Sequence, residues 1–89
     1  MARRRSPEDE EFYLQLGRRI EAARKRKGWS ADQLAQEAGI RNRAQVYRYE
    51  SGENAIPAPA LARIAAVLQV SVIDLLHPGL IHEWRLTRV

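Results

Sequence analysis

The sequence predicts an all-α domain of five helices followed by a short C-terminal tail, and three observations carry that expectation. Apolar residues recur at spacings of three and four, small polar residues stand before several of these runs, and glycines stand behind them. The 89 residues leave room for one domain with a modest core. With 45% apolar and 29% charged residues the composition is that of an ordinary globular protein, so the chain can bury enough surface to fold.

The first helix begins near Pro7. Ser6 can accept hydrogen bonds from the free amides of the first turn, Pro7 is tolerated there, and Glu8, Asp9 and Glu10 suit the positive helix end. Phe12, Leu16, Ile20 and Ala23 then repeat at helical spacing until the basic run Arg24 to Lys27 meets Gly28. Ser30-Ala31-Asp32-Gln33 reads as a capping box, with Trp29 placed to staple onto the stripe from Leu34 to Ala38, and Gly39 ends this short second helix. A third helix starts with Asn42 as cap and runs to Glu50, with Val46 and Tyr49 on one face and Ser51-Gly52 as its stop. Glu53 to Ala58 reads as a linker. Beyond it Leu61, Ile64, Ala65 and Leu68 mark a fourth helix, and Val72, Leu75 and Leu76 a fifth. The expected division is therefore a flexible basic arm over residues 1–6, a helical domain over 7–77 and a tail over 78–89.

Composition removes several function classes. Without cysteine there is no disulfide framework and no thiolate metal site, and His77 and His82, five apart across Pro78-Gly79, make a poor ligand pair, so neither metal nor cofactor is expected. No run reaches the roughly 18 apolar residues of a membrane span. The Arg-rich start is followed by acids where a signal peptide would be apolar. A soluble cytoplasmic protein is the expectation. No nucleophile–base pair, carboxylate pair or Gly-rich phosphate loop is visible, which argues against an enzyme. The net charge of +4 points only weakly to an anionic partner, but its distribution says more. Between positions 18 and 48, nine basic residues (Arg18, Arg19, Arg24, Lys25, Arg26, Lys27, Arg41, Arg43, Arg48) face three acids (Glu21, Asp32, Glu37).

Two short helices joined by Gly39 and a brief polar turn, the second opening on Asn42-Arg43-Ala44-Gln45, have the layout of a helix-turn-helix. In that arrangement the first helix crosses the phosphate backbone and the second presents its polar face to the major groove, where only donors and acceptors at base edges discriminate sequence. Arg43, Gln45 and Arg48 meet that need, with Val46 and Tyr49 anchoring the helix from behind.

The sequence resembles the Cro and phage-repressor (XRE-like) helix-turn-helix regulators from about Leu16 to Leu76. The likeness rests on Leu16-Gly17-Arg18-Arg19-Ile20, Ala23 to Ser30, Gln33-Leu34-Ala35, Ala38-Gly39-Ile40, Val46 to Gly52, and Leu61 to Ser71. It implies a five-helix, lambda-repressor-like DNA-binding domain that binds palindromic operators as a homodimer and regulates transcription, most simply as a repressor. The resemblance places the base-reading residues at Arg43, Ala44, Tyr47 and Arg48, with Gln45 more lateral, in a recognition helix of about 42–50. It puts Asn42 and Ser51 near phosphates and pairs Arg24 with Glu50 as a structural salt bridge. Where the family often has a phosphate-touching Gln after the second helix cap, this chain has Ala31, and its loop Glu53-Asn54-Ala55-Ile56 lacks the usual basic residues. Phosphate contacts are therefore expected from Arg18, Arg19 and the Arg3-Arg4-Arg5 arm.

Plainer roles stand beside these. A basic terminus such as Arg3-Arg4-Arg5 is commonly only solvated, and a run such as Arg24 to Lys27 commonly an exposed helix end favoured by the dipole. Tyr47 suits either a DNA contact or a half-buried surface ring, while Trp29 and Tyr49 fall where a helical stripe needs apolar groups. The tail residues Leu80, Trp84 and Leu86 suit docking on the domain or contact across a dimer. The rival function is a protein-interaction module, an antitoxin-like partner that grips a second protein through this tail and also binds DNA.

Overall fold

The computed structural model describes residues 5–77, and every regular element among them is α-helical. Five helices follow in order: α1 (Pro7–Arg26), α2 (Ala31–Ala38), α3 (Arg43–Glu50), α4 (Ala58–Leu68) and α5 (Val72–Leu76). The expectations for Arg3, Arg4, Leu80, His82, Trp84 and Leu86 lie outside the described residues.

Local chemistry sets most helix starts. Ser6 Oγ accepts from the Asp9 N–H at 3.1 Å, Ser30 Oγ from Gln33 N–H at 3.1 Å, and Asn42 Oδ1 from Gln45 N–H at 3.0 Å. α1 ends in a Schellman turn, in which the Gly28 N–H reaches the Lys25 carbonyl and the Trp29 N–H that of Arg24. α4 starts earlier than the sequence announces and ends without a glycine. It starts at Ala58, inside the segment read as linker, with Pro59 accommodated in its first turn where the missing N–H costs nothing. It stops at Gln69, a non-glycine in the left-handed region (φ 59°), whose side-chain carbonyl accepts from Lys27 Nζ at 3.0 Å.

Leu16, Ile20, Leu34, Val46 and Ile64 are the largest side chains removed entirely from solvent, and they come from α1, α2, α3 and α4. Each such burial contributes about 1.5–3 kcal/mol. Helices of eight residues are marginal alone, so α2 and α3 hold their shape because this shared core holds them. Trp29 and Tyr49 are half-buried against the same core. Phe12 breaks the expected α1 stripe: it is 39% exposed, and Tyr13 takes the inward position, with the two rings edge to face at 5.2 Å. The buried face of α1 begins only at Leu16.

The tightest approach in the fold joins α1 to the end of α3. A side chain at Gly17 would run into the backbone carbonyls of Glu50 and Tyr49, and one at Gly52 (φ +78°) into the backbone of Leu14. Beside this contact Arg24 and Glu50 form a buried two-bond ion pair, Nε to Oε2 at 2.7 Å and Nη2 to Oε1 at 3.1 Å, while Arg24 Nη1 donates to the Trp29 carbonyl at 2.9 Å. The Glu50 hydrogen bonds outweigh the effect of burial and hold the Arg24 guanidinium above its ordinary pKa. The arginine's contribution is therefore complete at neutral pH and fades only as pH climbs through that raised value.

Two stability outcomes follow. Glu50→Ala leaves a buried guanidinium without its partner and should cost about 3–5 kcal/mol, read as a fall in Tm on the order of 10–40 °C; a shift within a degree or two would refute the structural weight given to the pair. Gly17→Ala should cost about 1–3 kcal/mol by forcing α1 away from α3, and an unchanged denaturant midpoint would show that the two backbones are not in close contact.

Candidate nucleic-acid interface

α3 packs on α2 and α1, and this fixes which of its side chains look outward. At about 100° per residue, Arg43, Tyr47, Ala44, Arg48 and Gln45 succeed one another around the helix over roughly 200°. Val46 and Glu50 occupy the opposite, buried side. Arg43, Arg48 and Tyr47 are exposed, Tyr47 to 52%, while Ala44 and Gln45 are half-buried. The outward row thus offers two guanidinium groups and a phenol around a small residue, Ala44, which leaves room for an approaching surface.

The residues expected at phosphates divide. Asn42 is exposed at the start of α3 with its carbonyl oxygen engaged by Gln45 N–H, which leaves its amide donors available. Ser51 is exposed at the other end, where its hydroxyl donates to the Arg48 carbonyl at 3.3 Å. Arg18 is exposed on α1. Arg19 is committed to the fold: its Nη1 donates to the Leu75 and Leu76 carbonyls at 2.9 and 3.1 Å, closing the C-terminal end of α5. Arg19 also sits about 200° around α1 from Gly17, and Gly17 marks the side that meets α3.

Other basic residues are likewise held by carbonyl oxygens. Arg63 Nε donates to Ala38 O at 2.9 Å, at the end of α2. Arg5, which the sequence groups with the arm, donates through Nη2 to Gly52 O at 2.7 Å and Glu53 O at 3.2 Å, with its guanidinium 5.2 Å from the centre of the Tyr13 ring. In the Arg24 to Lys27 run, Arg24 is buried, Lys25 pairs with Glu21 at 3.2 Å, and Lys27 lies 4.8 Å over the Trp29 ring while bonding Gln69. Positive charge in the sequence therefore overstates what is free to meet an anion.

Two contacts on the outward face have no counterpart in the sequence pattern. Arg43 Nη1 lies 3.5 Å from Asp32 Oδ2 of α2, and Arg48 Nε lies 3.4 Å from Glu53 Oε2 in the loop after α3. Both pairs join separate elements, so no helical period could announce them.

Away from α3, about half a turn around α1, an open groove runs between α1 and the α4–α5 turn, floored by Ala23, Val70 and Leu75 and rimmed by Arg26 and Asp74. Among the described residues, no cluster of three metal-ligating side chains is present, and no helix is long and apolar enough to cross a membrane.

Comparison with known proteins places this architecture. No curated protein matches the chain. Among solved structures, one described as the hypothetical transcription factor NHTF from Neisseria is similar over 93% of this chain and 94% of its own, with a TM-score of 0.71 and 25% sequence identity. The family model described as a helix-turn-helix domain matches residues 15–77, from the middle of α1 to just past the end of α5. These findings agree with the resemblance to the Cro and phage-repressor regulators. With the matched span covering most of its length, the chain belongs to the helix-turn-helix domain family.

Proposed function

We propose that the chain is a sequence-specific regulator of transcription that binds double-stranded DNA as a homodimer, acting as a repressor at a palindromic operator. One observation carries this reading: α3, the second helix of the motif, is held from behind by Val46 and Glu50 and turns Arg43, Tyr47 and Arg48 outward together. Such a row fits the width of the major groove, where an arginine can donate two bonds to guanine O6 and N7. Asn42, Ser51 and Arg18 are the candidates to hold phosphate and set the register, a role that carries affinity without sequence information. The family match and the likeness to the Neisseria transcription factor support the same class.

A single α3 spans only a few base pairs. Two copies about 34 Å apart would place two such helices on one face of B-DNA. On α5 the exposed Ile73 (40%) stands among the half-buried Val72 and Leu76, an apolar surface suited to contact with a second copy. Leu80, Trp84 and Leu86, later in the sequence, are further candidates for contact with a second copy.

The test is selection of bound sequences from a random duplex library at about 150 mM salt, followed by titration of the selected duplex against random DNA. A two-fold symmetric sequence bound at least about 1,000-fold more tightly supports the reading, while equal, salt-sensitive binding to every duplex refutes it. Arg43→Ala should cost about 1–3 kcal/mol on the selected duplex and relax preference at one symmetric position, whereas Arg18→Ala should weaken all duplexes alike. Equal loss on both duplexes for Arg43→Ala would remove its base-reading role. Ile73→Asp should shift the sedimentation mass toward the monomer and lower affinity for the symmetric duplex more than for a half-site; an intact dimer would exclude the α5 surface.

A further inference from the structure

We propose, building on the DNA-reading role above, that Asp32 and Glu53 are specificity residues: each neutralises one recognition-helix arginine toward phosphate while leaving that arginine donors for a base edge. Arg43 and Arg48 are the basic side chains of the outward row of α3, and each has its own carboxylate, at 3.5 and 3.4 Å. The two acids come from separate elements, one from the first turn of α2 and one from the loop after α3. All four side chains are open to solvent, between 48% and 67% exposed, so the pairs are built on the surface that would meet DNA and do not belong to the core.

The chemistry separates two kinds of target. A guanidinium has five N–H donors, and the carboxylate of each pair approaches at one edge of it, at Nη1 in Arg43 and at Nε in Arg48. Guanine presents two neutral acceptors, O6 and N7. An arginine can satisfy them with its free donors and keep its carboxylate. A phosphate carries a full negative charge, so whatever attraction it exerts on the arginine is opposed by repulsion of the adjacent carboxylate. The pair is close to neutral toward the backbone and still a donor toward a base. Random DNA offers backbone everywhere and the right bases only by chance, so the acids weaken non-specific binding more than specific binding.

The experiment compares D32N, E53Q and the double variant with the wild-type protein on the selected duplex and on a random duplex, across a salt series. E37Q serves as the control, since it removes the same charge from an exposed position on α2 outside both pairs. Thermal melts establish that each variant is folded. Each of D32N and E53Q should raise affinity for the random duplex about two- to five-fold and steepen its log–log salt slope by about 0.9. The selected duplex should gain less, so the specificity ratio falls, further in the double variant than in either single one. E37Q should leave the ratio unchanged. A double variant that keeps the wild-type ratio, or matches E37Q, overturns the role of the acids while leaving the DNA reading intact. Loss of selected-duplex affinity without gain on random DNA overturns it too. A wild-type protein that selects no sequence removes the DNA-reading role and this one with it.

Discussion

The junction between α1 and the end of α3 is the constraint on which the arrangement depends. Gly17 lets the two backbones meet, Gly52 turns the chain beside Leu14, and Arg24 and Glu50 close a buried ion pair next to both. Taking two charges out of water is expensive, and a buried pair seldom stabilises more than apolar packing of the same volume would. Its value here is geometric. A bidentate guanidinium–carboxylate pair tolerates little rotation or sliding, so it sets the position of α3 along α1 where the smooth contact of a glycine alone would not. Arg5 reaches the carbonyls of Gly52 and Glu53 just beyond the same point. The last turn of α3 is thus gripped from several directions.

Arginine serves two purposes in this chain, and they compete for the same residues. Arg5, Arg19, Arg24 and Arg63 donate to backbone carbonyls, mostly at helix ends, where unsatisfied oxygens otherwise need water. Arg43 and Arg48 extend from the outward face of α3 and pair with acids. The fold of a small domain with short helices has many ends for its length, and the planar, many-donor guanidinium suits them well. Much of the basic character of the sequence is accordingly internal scaffolding. What distinguishes the outward face is the orientation of a few donors more than the amount of charge.

The helix starts are legible in the sequence because a cap is a contact across three residues: Ser6, Ser30 and Asn42 each announce themselves within their own turn. The outward row of α3 is legible for a related reason, since the apolar position Val46 fixes by helical period which neighbours must look away from the core. Failures begin where distance along the chain grows. Phe12 fits the α1 stripe by spacing, yet the buried face starts at Leu16, and only the tertiary arrangement shows that the first turns are covered less than the rest. The left-handed stop at Gln69 has no glycine to signal it, and its Lys27 partner lies 42 positions away. The bonds from Arg19 Nη1 to carbonyls 56 and 57 positions on are likewise unannounced in the sequence around it. The pairing of Arg24 with Glu50 spans 26 positions and is legible only through family resemblance.

To read DNA as proposed, an eight-residue helix must be stiff in position although it is too short to be stable by itself. α3 meets this requirement by being fastened differently at its two ends. At its start the Asn42 cap fixes the first turn, which carries Arg43; at its finish the ion pair of Glu50 fixes the last turn, which carries Arg48. Val46 lies between them, wholly buried, and resists rotation about the helix axis. A donor misplaced by an ångström loses the bidentate geometry on which base discrimination rests. Under the proposed role, changes at the buried end, far from the outward face in kind if not in distance, therefore act on base reading through the position of the helix. On the DNA-reading role proposed for α3, loss of stability and loss of selectivity are coupled, because the contacts that hold α3 in the fold are the ones that would aim it.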